Sequence, residues 1–467
     1  MIRAPEGENV EELGDLMKVL LTGATGLIGT ALGKALTARG DEVYVVTRNA
    51  ENARRKLPFP CHIIEGDLSA GPLKNTGRLG WVDAVVNLAG EPLRGRWSAA
   101  KKRRIYESRI LGTRHLIESL PLAPKVFISA SAVGYYGSQG DEEINEEAPA
   151  DDDFLSQVCQ DWEEELLTFS YGEGGLMARA VALRMGLVLA PQGGDLARIL
   201  ALFRRGLGAV LGSGRQWVSW IHLEDAVGLI LLALDKSSIW GPLNMVAPGA
   251  VTNEEFVHTL AEVLGVHLAP RIPAFVVWMM LGERATLFLS SQKVFPQVAL
   301  RSGYKFKYPD LRKALEQICH NPKEEFLVFE RFFPWPPDRV FSFFRRTGDL
   351  KNGQVLAMRA KHRGVPLPWK TMIQNWNPPL SFQEVQVRGP FRLWEHTHEF
   401  KAFGPKGTLM VDRVKFILPL GSLGSLMGTP AVRSEAERFF QSQYQDIVRH
   451  LEKEEAREKN PDLWLDM

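Results

Sequence analysis

At 467 residues, 45% of them hydrophobic, the chain is long enough for two or three domains, each with its own core. Its 56 Lys+Arg against 55 Asp+Glu leave no whole-chain charge to draw nucleic acid or a membrane surface. Three scattered cysteines, Cys61, Cys159 and Cys319, form no CxxC pair, which argues against a disulfide framework or a cysteine-held zinc and fits a reducing compartment.

Residues 1–16 are acidic and polar, without the basic and apolar regions of a signal peptide, and read as a flexible extension. From Lys18 short apolar runs alternate with helical stretches. The expected order is a strand at Lys18–Thr22, a helix at Leu27–Arg39, strands at Glu42–Thr47, Cys61–Ile64 and Asp83–Leu88, a basic helix at Ala99–Leu120 and a strand at Lys125–Ser129. Further strands are expected at Ala180–Leu189 and Leu243–Ala247. This pitch predicts a parallel, doubly wound α/β sheet. A Gly-rich stretch from Gly193 to Gly214 and helices at Asn253–Leu264, opened by a Thr252/Glu255 capping box, and Pro273–Leu289 are assigned to a small substrate lobe, about residues 191–220 and 250–320. The apolar run Ile272–Leu281 is too short to cross a bilayer, so a cytoplasmic protein with no membrane span is expected.

After Asn321-Pro322 the pattern changes. A strand at Phe326–Phe333, a proline corner and a helix at Asp338–Phe344 lead into strands at Gln354–Lys361, Lys370–Trp376, Phe382–Val387, Leu393–Phe400 and Thr408–Ile417. A long helix closes the chain. Ser434 and Glu437 look like its capping box, and Phe440, Tyr444, Ile447, Val448 and Leu451 form its apolar stripe. The expectation is two units, an α/β domain over 17–320 and an α+β domain over 324–455, with a tail over 456–467.

The strongest motif is Gly23-Ala-Thr25-Gly26-Leu27-Ile28-Gly29, directly after a strand and opening a helix. Glycines there permit a tight turn and close backbone approach to a pyrophosphate, and the helix N-terminus offers free N–H groups to it. Thr47 and Arg48 end the second strand, where a cation suits a ribose 2′-phosphate and so favours NADP(H). Asp67 and Leu68 follow the third strand, where an adenine edge would lie. Leu88, Ala89, Gly90 and Glu91 close the next, at the carboxyl end of the sheet.

These segments carry a resemblance. TGATGLIG (22–29), NLAGE (87–91), SRILGT (108–113), SASAVGYYG (129–137), VCQDWE (158–163), LRMGLVL (183–189) and WIHLEDA (220–226), with SQKVFP and GYKF nearer residue 300, resemble the atypical "epimerase family" branch of the extended short-chain dehydrogenases/reductases. The resemblance implies an NADP(H)-binding Rossmann fold with a small C-terminal substrate lobe. In the general family a Ser, a Tyr and a Lys four residues beyond it move the proton. Ser131 matches the serine, but Leu155 and Cys159 fall where the Tyr/Lys pair should be. Tyr135 and Tyr136 are the substitute acid/base candidates, each with packing as the simpler reading. Arg109 stands where many relatives have an asparagine and suits the cofactor phosphates. His222 is expected to be structural or ribose-side, and Lys101–Arg104 a solvated helix face.

Residues from 324 to about 455 resemble the START-like superfamily of the polyketide-cyclase or coenzyme-Q-binding type, through Pro390–Phe400, Gly407–Asp412, Leu418–Gly421 and the terminal helix. That resemblance implies a helix-grip fold with an apolar ligand cavity, at which Trp394, His396, His398 and Tyr444 are placed. No metal is expected, because the two histidines lack a third ligand at recognisable spacing. The sequence thus reads as an NADP(H)-dependent oxidoreductase or epimerase-like enzyme of unknown small-molecule substrate, fused to a domain for an apolar ligand. The alternative is an NADPH-binding regulator or ligand carrier with little turnover, since some members of this branch carry cell-division-inhibitor names.

Overall fold

The computed structural model describes residues 16–74, 80–170, 178–190, 193–319, 325–345, 351–362, 365–404, 406–417 and 421–459. The expected extension lies almost wholly outside them.

Seven parallel strands form the first sheet: β1 (Lys18–Thr22), β2 (Glu42–Thr47), β3 (His62–Glu65), β4 (Ala84–Asn87), β5 (Val126–Ala132), β6 (Arg179–Met185) and β7 (Gly241–Met245). Their spatial order is 3-2-1-4-5-6-7, so the winding reverses between β1 and β4. A crevice opens at the carboxyl ends of the strands at such a reversal. The strands are Val-, Ile- and Leu-rich because helices cover both faces, and β4 is buried along its whole length. One face packs under α1 (Leu27–Arg39) and, later in the chain, Leu223–Asp235; the other packs under α2 (Ala99–Glu118) and α3 (Phe154–Ser170). Gly40, at φ 104°, closes α1 in the left-handed conformation that a glycine adopts without strain.

The strand expected over Ala180–Leu189 is broken at Gly186. Leu187–Leu189 leaves the main sheet to pair with Trp220–His222. The Thr252/Glu255 capping box forms as expected and opens α5 (Asn253–Leu264), the helix after α4 (Leu223–Asp235). The helix expected over Pro273–Leu289 is interrupted: α6 (Ala274–Leu281) ends at Gly282, φ 58°, before a short 3₁₀ turn. α7 (Leu311–Ile318) packs on α5 and completes the smaller lobe.

The second sheet has six antiparallel strands: β8 (Glu325–Phe333), β9 (Val355–His362), β10 (Val365–Asn377), β11 (Ser381–Arg388), β12 (Leu393–Phe403) and β13 (Gly407–Ile417). Their order is 8-13-12-11-10-9, so the first strand pairs with the last while the others follow as hairpins. Two helices pack on one face. α8 (Pro337–Arg345) begins with proline, whose missing N–H costs nothing at that position. α9 (Gly421–Lys459) buries Phe440, Tyr444, Ile447 and Leu451 against Phe333, Met410, Val414 and Phe416. It starts well before Ser434, so the expected Ser434/Glu437 cap is corrected: Ser434 lies inside the helix, where its hydroxyl meets Arg438. The helix also takes in residues 456–459 of the expected tail, and the remainder lies outside the described residues. Lys34 of α1 forms an ion pair with Glu330 of β8 at 2.7 Å, linking the two sheets' surroundings. No described helix is long and apolar enough to cross a membrane.

Candidate functional site

The crevice between β1 and β4 is built from backbone. Gly23 has φ 67°, and a Cβ there would lie 2.7 Å from the Leu88 carbonyl oxygen and 3.0 Å from the Ala89 nitrogen. A Cβ on Gly29 would meet the Gly23 oxygen at 2.4 Å. Each glycine is therefore required by close approach. Thr22 Oγ1 accepts from the N–H groups of Leu88 and Ala89 and donates to Asn87 Oδ1 at 2.6 Å, which ties the two strand ends together. The first turn of α1 has Gly26 as its N-cap and no side-chain cap, so the dipole end stays open, and Thr25 and Gly26 are exposed. Leu27 and Ile28 follow, half-buried. A shallow cradle edged by uncapped N–H groups suits a pyrophosphate.

The other expected cofactor residues flank this turn in the expected order. Thr47 and exposed Arg48 end β2. Asp67, exposed after β3, accepts from Ser69, and the Leu68 carbonyl meets His115 Nδ1 at 2.7 Å. Gly90 lies against the Arg109 guanidinium, which a Cβ would approach to 3.2 Å. Arg109 Nη1 donates to the carbonyls of Glu91 and Ile105, and its plane lies over the Trp162 ring. Burial pulls the Arg109 pKa down, so a nearby anion would relieve the desolvated cation. The Glu91 side chain turns away to Lys101, 2.7 Å, and Arg104, and the Lys101 hydrogen bond holds its carboxyl below the usual range. Lys101 is buried in that contact, so the run Lys101–Arg104 is not wholly the solvated face expected of it.

Beyond β5 the structure adds groups that the sequence reading missed. Buried Ser131 donates to Glu163 Oε1 at 2.6 Å. Arg184 of β6 clamps both Glu163 oxygens, at 3.0 and 2.8 Å. Glu163 lies one helical turn beyond Cys159 on α3, and both residues stand within segments already recognised as motifs. The pairing of Glu163 with Arg184 follows only from α3 packing on β6. Tyr136 is fully buried; its hydroxyl donates to Asn244 Oδ1 and accepts from Arg184, and burial pushes its phenol up to about 12. An acid/base role for Tyr136 does not fit this geometry. Tyr135 is half-buried, with its ring 3.5 Å from the Arg184 guanidinium carbon, and its hydroxyl makes no hydrogen bond among the described residues. Leu155 packs against Gly134, and Cys159 is buried, its thiol pushed up to about 11 by burial and then by Glu163. His222 caps α4: its Nδ1 accepts from the Glu224 N–H, and Nε2 meets Gln317 at 2.9 Å.

In the second sheet, Trp394, His396 and His398 face inward with Tyr444 and are buried among aromatic side chains. Phe382 stacks on His398 at 4.1 Å, and Phe344 lies 5.2 Å away. A groove of about 190 Å³ runs between β8 and α9, lined by Val328, Phe329, Glu330, Glu437, Phe440, Gln441 and Tyr444, so of the four expected residues it reaches Tyr444 alone. The premise for expecting no metal is also corrected. Asp412, sixteen residues from His396, is a third donor. Asp412 Oδ1 lies 3.0 Å from His396 Nε2 and 2.7 Å from His398 Nδ1, while Oδ2 accepts from Tyr444 at 2.6 Å. Burial opposes charge on Asp412, but His398 and His396 hold its carboxyl well below the usual range. Burial likewise opposes charge on His398, which Asp412 and Glu384 nevertheless raise to about 9.

The strand order and the glycine turn at its reversal define a Rossmann-like, nucleotide-binding domain. Residues 19–244 match the NAD dependent epimerase/dehydratase family, and residues 272–318 match a domain of unknown function, DUF1731. The chain is 38% identical over 311 residues to the human epimerase family protein SDR39U1, covering 65% of this chain and 99% of that one. It is 36% identical over 313 residues to the epimerase family protein YfhF of Bacillus subtilis, covering 66% and 99%. Among solved structures, that of human SDR39U1 (isoform 2) with NADPH superposes with a TM-score of 0.57 at 36% identity, over 65% of this chain and 100% of the other. The chain belongs to the epimerase family.

Proposed function

We propose that this protein is an NADP(H)-dependent oxidoreductase or epimerase-like enzyme acting on a small-molecule substrate. The observation that carries the reading is the convergence of the Gly23–Gly29 turn, the Leu88–Glu91 segment and the half-buried cation Arg109 at one crevice, with Ser131 at the carboxyl end of the adjoining strand. The residues present fit the dinucleotide: uncapped N–H groups and room without side chains for the pyrophosphate, Arg48 for a 2′-phosphate. The human relative crystallised with NADPH gives the same direction. A bound nicotinamide would supply the hydride donor or acceptor.

This chain's own residues then handle the proton. Ser131 commits its proton to Glu163, so a lone pair of its oxygen is what it can offer to a substrate hydroxyl. As that hydroxyl gives its proton to Ser131, Ser131 passes its own to Glu163, which Arg184 holds in place. Tyr135, whose hydroxyl makes no hydrogen bond among the described residues, is the remaining phenol near the site. We read the antiparallel sheet with α9 as a START-like module for an apolar ligand; the inward apolar stripe of α9 and the groove at Tyr444 support this.

The second reading, an NADPH-binding regulator or carrier with little turnover, is favoured by Leu155 and Cys159 standing in place of the usual Tyr/Lys pair. NADPH oxidation and NADP⁺ reduction, followed by absorbance across a panel of carbonyl, polyol and nucleotide-sugar compounds, decide between them. The enzyme reading expects turnover that Ser131→Ala and Glu163→Gln abolish while NADPH affinity is kept, with Tyr136→Phe largely active. Tight NADPH binding with no turnover on any of the panel favours the second reading.

A further inference from the structure

We propose that the second sheet holds a buried divalent transition-metal site, with His396, His398 and Asp412 as protein ligands and Glu384 behind them. Three adjacent strands build it. His396 and His398 alternate on β12 and so share a face, Asp412 stands directly opposite His398 on β13, and Glu384 stands opposite His396 on β11. One donor atom from each of His396, His398 and Asp412 lies within 4.8 Å of the others. Donors in a tetrahedral zinc site stand about 3.4 Å apart, given bonds of roughly 2.1 Å. The two distances to Asp412, 3.0 and 2.7 Å, and the outer limit of 4.8 Å bracket that spacing.

A second observation points to a ligand. His398 is completely buried, and neither of its ring nitrogens has a well-directed hydrogen bond. Nδ1 is close to Asp412 but off the line of a ring N–H, and Nε2 stands 3.7 Å from Glu384 Oε1. A buried imidazole whose ring nitrogens lack aligned hydrogen bonds is costly, and a metal at Nδ1 would satisfy it. Nε2 would then face Glu384, the carboxylate–histidine–metal arrangement that orients such ligands. Thr371 donates to the other Glu384 oxygen, and Tyr444 donates to the outer oxygen of Asp412, so the supporting contacts are in place. The carboxylates of buried Asp412 and half-buried Glu384 also match the charge of a divalent ion. Two imidazoles and a carboxylate favour zinc or another first-row divalent metal over calcium or magnesium. The groove that ends at Tyr444 brings solvent to within one side chain of Asp412, which gives an entry route.

The test uses the full-length, tag-free protein after chelator treatment, titrated with cobalt(II) and then zinc(II). One cobalt per chain is expected, with visible ligand-field absorption that zinc abolishes. His398→Gln and Asp412→Asn should weaken binding at least about a hundredfold, and Glu384→Gln by about ten- to a hundredfold. Exposed His62→Gln should leave it unchanged. X-ray absorption at the zinc edge of the wild-type protein should show two imidazole ligands, and this readout stands if a variant fails to fold. The proposal is overturned if folded wild-type protein binds no cobalt, if the bound zinc shows no imidazole scattering, or if the His398 and Asp412 variants fold and bind as tightly as wild type.

Discussion

Replacing Gly23 with alanine tests the crevice at its tightest point. The new Cβ meets the Leu88 carbonyl at 2.7 Å and its carbon at 2.8 Å, and both are backbone atoms that no side-chain rotation can move. Overpacking of this kind costs about 1–3 kcal/mol. A non-glycine residue at φ 67° adds about 1–2 kcal/mol. Taking the middle of both ranges, about 3.5 kcal/mol must appear somewhere. If the free protein holds the native turn, stability falls and the melting temperature drops by several degrees. If the free protein relaxes the turn, the strain is deferred to the complex. At 1.4 kcal/mol per tenfold, NADPH affinity then falls by roughly three hundredfold. Differential scanning fluorimetry and fluorescence titration of NADPH on the same sample measure both halves. A Gly23→Ala protein unchanged in melting temperature and in NADPH Kd would refute the account of why glycine stands there.

Three further outcomes are expected. Arg48→Ala should weaken NADPH at least tenfold more than NADH, because a guanidinium gains most from a 2′-phosphate; equal affinity of the unmutated protein for both cofactors would contradict this. The thiols of Cys61, Cys159 and Cys319 are each pushed up to about 11 by burial, so at pH 8 the native protein should react slowly with a disulfide reagent and release three equivalents only when denatured; one fast native equivalent would refute it. Ile447→Asp places an unpaired carboxylate at a fully buried position of α9 and should destabilise the second sheet by about 4 kcal/mol or more, with NADPH affinity nearly unchanged. Loss of NADPH binding together with that sheet would show the two halves to be one cooperative unit.

What was legible in the sequence is what local chemistry dictates. The glycine turn declares itself because only glycine tolerates those contacts, and Thr252 with Glu255 satisfies a helix end within four residues. The stripe of α9 repeats at helical spacing and is buried as read. What was not legible depends on partners distant in sequence. Glu163 and Arg184 meet only because α3 packs on β6, and Asp412 meets His398 only through the register of β12 and β13. Ser434 and Glu437 carry a correct capping signature that the structure does not use, since a short pattern cannot report that the preceding residues are helical too. Tyr136 could not be separated from Tyr135 until burial gave one a packed, hydrogen-bonded position and left the other its hydroxyl.

The pairing of β8 with β13 has a consequence for the chain as it is made. Every strand of the first sheet is complete once residue 245 has been synthesised. By contrast β8 must wait for a partner on the order of 80 residues downstream, which at typical rates of synthesis means on the order of ten seconds. Through that interval its unpaired edge and the side chains of Leu327 and Phe333 lack the cover they later receive, because the hairpins made meanwhile join the sheet only through β13. The nascent protein thus carries an unpaired apolar strand for an interval after its nucleotide-binding half is finished, when a chaperone that shields such a strand would have something to cover.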